Sequence, residues 1–310
     1  MPRAVSTIRV GLVGYGKIAR DQHLPAIAAH PDFVLSAVAD PVAVAPVPTH
    51  RDVDAMLATS AIDAVVLCQP PAFRFDAARN AIRAGKHVLL EKPPGATIAE
   101  VALLLAEAQT HGVSLYAAWH SRMAPGSREL KRLLAGQRID AIDIVWREDV
   151  RVWHPGQRWL WEQRGFGVFD PGINALSILT DVLGETPRVT DAELEIPSNQ
   201  EAPIAARLIM ESAHGALIHA DFDFRETGTE RWEMTIRSGA HRYALRKGGA
   251  VLEVDGIERT LPSLSEYTGL YTEFAALVRA GKRAVDYSPL AIVADAWLVG
   301  KRLSVARFDP

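Results

Sequence analysis

Three short stretches of the chain carry residue types that can do chemistry together. In the first, Gly14, Tyr15, Gly16, Lys17, Ile18 and Ala19 spell G-x-G-x-x-A. Such a turn brings backbone amides up to a pyrophosphate: Gly14 permits the tight bend, Gly16 the close approach, and Ala19 the packing of the next helix on its strand. In the second, the apolar run HVLL stops at Glu91, Lys92, Pro93, Pro94 and Gly95. Charges are costly to bury and proline cannot donate to a sheet ladder, so a strand must end there, with an ammonium able to donate to a ligand oxygen. In the third, Asp170 and Asn174 stand four residues apart. If they lie on a helix, both side chains leave one face and can converge on one ligand. The carboxylate can take a proton, whereas the amide can only hydrogen-bond.

The elements around the first two stretches alternate. Apolar runs over 7–14, 33–40, 62–68, 87–91 and 113–119 read as strands, and 18–30, 53–59, 74–85 and 98–112 as amphipathic helices. Near-continuous apolar strands separated by helices imply a parallel sheet covered on both faces, a doubly wound Rossmann α/β domain over residues 1–121. Such sheets bind ligands beyond the carboxyl ends of their strands, and Lys92 lies at one of those ends. Asp40 closes the second predicted strand, where a carboxylate can accept the ribose hydroxyls of an adenosine. Its negative charge would repel a 2'-phosphate, which favours NAD over NADP, with NADP left open by Arg51 nearby. Cys68, Gln69 and Pro70 end the third strand and are expected to line the cofactor groove, the other reading of Cys68 being a small core residue.

After residue 121 the texture changes. Residues 125–137 have helical spacing, 139–153 alternate as one long strand, and 168–184, which include Asp170 and Asn174, return to helical spacing. Short alternating segments follow up to residue 256, with glycines at the turns, and predict a mostly antiparallel open sheet with one buried and one freer face. Residues 264–282 form an amphipathic helix ended by Gly281, and Pro289 opens a C-terminal helix over 289–306 expected to pack back on the core. Residues 122–310 are thus expected to form a second, α+β domain. An alternative for Asp170 is that it merely caps its helix.

Composition removes several function classes. A chain of 310 residues, 48% hydrophobic, is long enough for two cored domains. A net charge of −3 from 34 basic and 37 acidic residues provides no field to gather nucleic acid or anionic lipid, so neither is an expected partner. The single Cys68 cannot form an internal disulfide, which fits a reducing cytoplasm. The N-terminal stretch does not read as a secretory signal, and no apolar run reaches the ~18 residues of a membrane span. The ten histidines show neither HExxH nor a Cys/His pattern, so no metal is expected.

Four features in order, namely the glycine turn, DQHLPAI (21–27), AIRAGKHVLLEKPPG (81–95) and GFGVFDPGINALSIL (165–179), resemble the Gfo/Idh/MocA family of NAD(P)-dependent sugar and cyclitol oxidoreductases. The likeness spans the whole chain, and its second-half motifs resemble the bacterial aldose 1-dehydrogenases that act on D-galactose or L-arabinose. The resemblance implies that Lys92 points at the reacting hydroxyl, that Pro93 follows an unusual peptide and shapes the wall beside the nicotinamide, and that the open sheet associates with another subunit. Glu91 reads as an anchor for nearby backbone. Many family members carry a histidine, the usual base, where this chain has Asn174. Asparagine cannot take a proton, so that role shifts to Asp170 with Lys92, and a weaker base suits the acidic anomeric hydroxyl of a sugar.

Trp119, His120, Glu148, Trp153, His154 and Trp232 fall near predicted junction loops and supply the acceptors and flat faces that a pyranose needs. Of these, His120, Glu148, Trp153, His154 and Trp232 are expected to bind the substrate. The expectation is a cytoplasmic, homo-oligomeric aldose 1-dehydrogenase, with the sugar held between the domains. Oxidation of a cyclitol or another ring hydroxyl, and a non-catalytic dinucleotide sensor, are the alternatives.

Overall fold

The computed structural model describes residues 7–310; the first six residues, including the start of the stretch read for a leader, lie outside the described residues. Contacts divide the chain into two units, one of residues 1–120 with 265–287 and the other of 121–264 with 288–310. The first unit therefore takes in the helix Glu266–Ala280, which the sequence reading left with the second half. The physical reason is its aromatic face: Tyr271 meets Phe33 edge-on at 5.1 Å, and Phe274 stacks on Phe33 at 6.0 Å and on Tyr116 at 6.2 Å. Phe274 is fully buried, worth about 2–3 kcal/mol for such a side chain.

The sheet of this unit has six strands, β1 (Ile8–Val13), β2 (Phe33–Ala39), β3 (Thr49–His50), β4 (Ala64–Leu67), β5 (His87–Glu91) and β6 (Leu115–Ala118). All pair in parallel in the order β3-β2-β1-β4-β5-β6. Each residue of β4 is buried, as expected of a strand covered on both faces. Helices Val53–Thr59 and Ile98–Thr110 start where the side chains of Asp52 and Thr97 accept from Ala55 N at 2.9 Å and Glu100 N at 3.2 Å. Winding reverses between β1 and β4, which opens a crevice at their carboxyl ends.

The second unit is built on nine strands, β7 (Ala141–Arg147), β8 (Arg188–Pro197), β9 (Ala205–Glu211), β10 (Leu217–Asp223), β11 (Arg231–Ser238), β12 (His241–Arg246), β13 (Val251–Val254), β14 (Ile257–Glu258) and β15 (Lys301–Val305). Their order is β14-β13-β12-β11-β7-β10-β9-β8-β15; only β7 with β10 and β8 with β15 run parallel, so the sheet is mostly antiparallel. Burial alternates along β9 and β10, so one face is covered and the other free. The helix Phe169–Leu183 lies on the covered face: Phe169 meets Phe222 edge-on at 6.0 Å. A Cβ at Gly172 would come within 3.1 Å of the Phe222 ring, so glycine lets the helix sit this close.

Two sequence expectations change here. The strand expected over 139–153 ends at Arg147, because the Asp149 side chain accepts from Arg151 N at 2.9 Å and starts a helical turn, Val150–Trp153. The C-terminal helix expected to reach 306 ends at Val299, although it does pack on β8 and on the helix Phe169–Leu183. Gly300 approaches Ala192 and Leu194, where an added Cβ would lie 3.2 and 3.3 Å away, and the chain then continues as β15 alongside β8.

Candidate active site

In the first unit the glycine turn follows β1 directly. Gly14 has φ +86°, and a Cβ there would lie 2.9 Å from Gln69 N, so only glycine fits both the bend and the approach to the end of β4. A Cβ on Gly16 would meet nothing within 4 Å, which leaves that side of the turn open. The helical turn Ala19–His23 begins at Ile18 with no side-chain cap, the arrangement that leaves first-turn amides for an anion. Tyr15 and Lys17 lie on this turn, and Lys17 pairs with Asp21. The open glycine turn, the uncapped amides and an acidic residue at the end of β2 fit a dinucleotide.

Asp40 accepts from Tyr15 N at 2.9 Å, Val42 N at 3.0 Å and Ala43 N at 2.9 Å. Partial burial works against its ionisation, but these three amides, helped by the charge of Arg20, hold its carboxyl below the usual value. Of about four acceptor positions on a carboxylate three are thus in use, so the ribose meets a carboxylate already anchored. Cys68, Gln69 and Pro70 line the end of β4, Cys68 half-buried.

At the end of β5 the Lys92–Pro93 peptide is cis, and Lys92 is half-buried. Arg74 and the partners of Glu91, none of them expected at the site from sequence, hold this segment. Arg74, 2% exposed, donates to the carbonyls of Glu91 and Pro93 and, at 2.5 Å, of Gln69. Glu91, also buried, takes the Lys92 amide on Oε2 at 2.8 Å, and its Oε1 receives the Tyr267 hydroxyl at 2.8 Å with His23 Nε2 at 3.0 Å. Tyr271 OH lies 2.9 Å from His23 Nδ1. Burial alone would push the Glu91 carboxyl up, but the hydrogen bond and charge of His23, with His120 and Tyr267, hold it down to about 2. Burial opposes the charged form of His23 too, yet Cys68, Tyr271 and Glu91 together raise it well above its ordinary value. Glu91 thus holds the backbone of the residue that follows it. Signals for its partners existed: His23 lies in the DQHLPAI stretch, and Tyr267 and Tyr271 are one helical turn apart. Arg74 gave none.

His120, expected on the substrate, pairs within this unit through Nδ1 with Glu266 at 2.5 Å and stacks on Tyr267 at 5.5 Å. Trp119, grouped with the sugar-facing aromatics by sequence, is a core residue, 3% exposed, whose indole N–H donates to Asp286 O at 2.8 Å.

In the second unit the turn after β7 gathers a second set. Glu148, 2% exposed, accepts Trp232 Nε1 at 2.9 Å on one oxygen and lies 3.1 Å from His154 Nε2 with the other. His154 Nδ1 in turn lies 3.8 Å from Asp170 Oδ2, beyond direct hydrogen-bond range. Trp153, 40% exposed, sits 4.8 Å from Trp232, and Phe224 flanks His154 at 5.7 Å. Asp170 is buried inside the first turn of Phe169–Leu183, whose cap position is Val168, so it is not the cap residue. Asn174 follows one turn later, half-buried, its carbonyl taking the Ser177 hydroxyl at 2.7 Å. The structure therefore brings Glu148, Trp153, His154, Asp170 and Trp232 together in one unit, and gathers the expected cofactor residues at the strand ends of the other.

Among the described residues no helix is long and apolar enough to cross a membrane, and no three His, Cys, Asp or Glu side chains converge as metal ligands.

Comparison with known proteins adds to this geometry. The model of an oxidoreductase family with an NAD-binding Rossmann fold, Gfo/Idh/MocA, matches residues 8–119. A galactose 1-dehydrogenase of Pseudomonas fluorescens is 43% identical over 97% of this chain and 98% of its own length. The crystal structure of a D-galactose-1-dehydrogenase from Rhizobium etli superposes with a TM-score of 0.94 at 47% identity, covering 99% of each chain. A 3-ketoreductase from Actinomadura kijaniata, crystallised with TDP-benzene and NADP, shares the fold with a TM-score of 0.86 at 19% identity, over 98% of this chain and all of its own.

Proposed function

Because the chain belongs to the Gfo/Idh/MocA family of NAD-binding oxidoreductases, we propose that it oxidises the C1 hydroxyl of an aldopyranose to the lactone, with D-galactose as the first substrate to try. The observation that carries the reading is the run of buried Glu148, half-buried His154 and buried Asp170 beside Trp153 and Trp232 in a chain 43% identical to a galactose 1-dehydrogenase. L-Arabinose presents the same ring without the exocyclic hydroxymethyl group and is the second candidate.

When bound, NAD(P) supplies the acceptor for the hydride that leaves C1. The chain's own residues do the rest. Lys92 donates to the C1 oxygen and orients it; Asp170 takes the hydroxyl proton as the carbonyl of the lactone forms; Asn174 hydrogen-bonds the ring. Trp153 and Trp232 offer flat faces to the C–H side of the sugar, and Glu148, His154 and His120 serve its hydroxyls. The carboxylate of Asp40 supports NAD over NADP by charge repulsion with a 2'-phosphate.

The reading extends to a cytoplasmic homo-oligomer. A single cysteine suits a reducing compartment, and the free face of the nine-stranded sheet, with Ile209 and Leu217 exposed, is the surface for association. Sedimentation of the purified protein as a monomer would remove that extension alone.

The test is a panel of D-galactose, L-arabinose, D-glucose and myo-inositol with NAD and NADP separately, followed by product analysis. Lactone from D-galactose with higher kcat/KM for NAD is expected. No turnover of any aldose with either cofactor, or a ketone as the product, overturns the proposal.

A further inference from the structure

The reaction outlined above leaves unused four deeply buried titratable groups of the first unit, His23, Glu91, Tyr267 and Tyr271, all 3% exposed or less. We propose that these four form a positioning network for Lys92, in which Tyr267, Tyr271 and His23 lock the Glu91 carboxylate, and that carboxylate locks the peptide from which the Lys92 side chain emerges. The inference rests on the role given to Lys92 above.

The connection is direct. Glu91 turns back on the next residue and accepts the Lys92 amide at 2.8 Å with Oε2. That orientation holds only while Oε1 is held as well, and Oε1 has two partners, the Tyr267 hydroxyl at 2.8 Å and His23 Nε2 at 3.0 Å. His23 is itself fixed: Tyr271 OH lies 2.9 Å from Nδ1, and the Tyr267 ring stands edge-on to the imidazole at 4.9 Å and 80°. From another direction, Arg74 donates to the carbonyls of Glu91 and Pro93, on either side of Lys92. The peptide before the lysine is thereby pinned through both its donor and its acceptor, and the chain after it through the Pro93 carbonyl.

Stability is a weak reason for such an arrangement. Desolvating two charges offsets most of the gain from pairing them, and an apolar cluster of the same volume often stabilises as well or better. Geometry is a stronger one, because a misplacement of about 1 Å in a reacting group can cost about a hundredfold in rate. A carboxylate kept ionised is also a stronger acceptor for the Lys92 amide than a neutral acid. Two members of the network come from the helix Glu266–Ala280, more than 170 residues after Lys92, and the tie from Tyr267 to Glu91 spans 176 positions. That late helix is then part of the catalytic apparatus as well as of the core.

The test is a double-mutant cycle on the full-length enzyme with NAD and its sugar. Tyr267→Phe removes one hydroxyl at nearly constant volume. Its expected effect is a fall in kcat of about tenfold, the size of one hydrogen bond to a charged group, with NAD affinity by titration calorimetry within about twofold of wild type. In a Lys92→Ala background, or Lys92→Arg if the alanine rate is too low to measure, Tyr267→Phe is expected to cost nothing further. His23→Gln, which can still donate to Glu91, should keep more turnover than His23→Leu. Should Tyr267→Phe not fold, Tyr271→Phe carries the same cycle. Equal losses in both backgrounds, or wild-type kcat in the single variant, overturn the inference. Wild-type turnover by Lys92→Ala instead removes the role of Lys92, an outcome visible before the cycle is closed.

Discussion

Each unit holds one buried glutamate paired with a histidine, and the two pairs differ in what surrounds them. Glu91 and His23 are sealed: their side chains are 4% and 0% exposed, and two tyrosine hydroxyls occupy the remaining positions. Glu148 and His154 are less enclosed, at 3% and 15%, and the free ring nitrogen of His154 faces a third group, Asp170, at 3.8 Å. The same two residue types therefore serve opposite ends. A pair whose polar atoms are engaged on every side holds geometry, whereas a pair whose second ring nitrogen faces Asp170 is linked to the proposed proton acceptor.

The largest test of this contrast lies beside the open pair. Asp170→Asn removes the proposed proton acceptor and is expected to lower kcat by about 10² to 10⁴, with NAD affinity retained, in steady-state assays of reduced nicotinamide. Retention of turnover would show that the open pair does not adjoin the chemistry.

The closed pair, besides its effect on turnover, should answer in stability when one partner is removed. His23→Leu strands a buried carboxylate, and urea unfolding is expected to show a loss of about 3–5 kcal/mol. Acid should act through the same pair. Glu91 is held at about 2, below the ~4.3 of an unfolded glutamate, so its contribution is present above about pH 5 and is lost as pH falls towards 2. His23 is raised, so its contribution is complete below about pH 6.5 and fades only as pH rises through its higher folded value. The wild-type Tm should therefore fall from pH 5 downwards, and Glu91→Gln should flatten that limb; an identical slope in both proteins would mean that the closed pair is not ionised.

Smaller effects separate the pairs further. Glu148→Gln keeps the shape but weakens the bonds to Trp232 and His154, and should raise the sugar KM about tenfold with little change in Tm. Trp232→Phe removes a single indole donor to Glu148 and is expected to cost only a few-fold in kcat/KM, about 1 kcal/mol.

What could be read along the chain were features whose physics is local. Gly14 and Gly16 announce their turn because no other residue suits a φ of +86° beside Gln69 N or an unobstructed amide surface. Alternation of apolar and polar residues marked β9 and β10, and near-continuous apolar runs marked β1, β4 and β5. Asp170 and Asn174 could be paired by helical spacing alone.

What tertiary structure decided were partnerships across long separations. Nothing near residue 91 signals that its carboxylate belongs to His23 and Tyr267, 68 and 176 positions away, or that Arg74 ties three carbonyls at two strand ends. The helix Glu266–Ala280 could be predicted from its periodicity, yet its membership of the first unit depends on Phe33 and Tyr116 waiting for its aromatic face. Periodicity is a property of neighbours in sequence, whereas the burial that gives a polar group its partner, and with it its charge state, exists only once distant segments have closed around it.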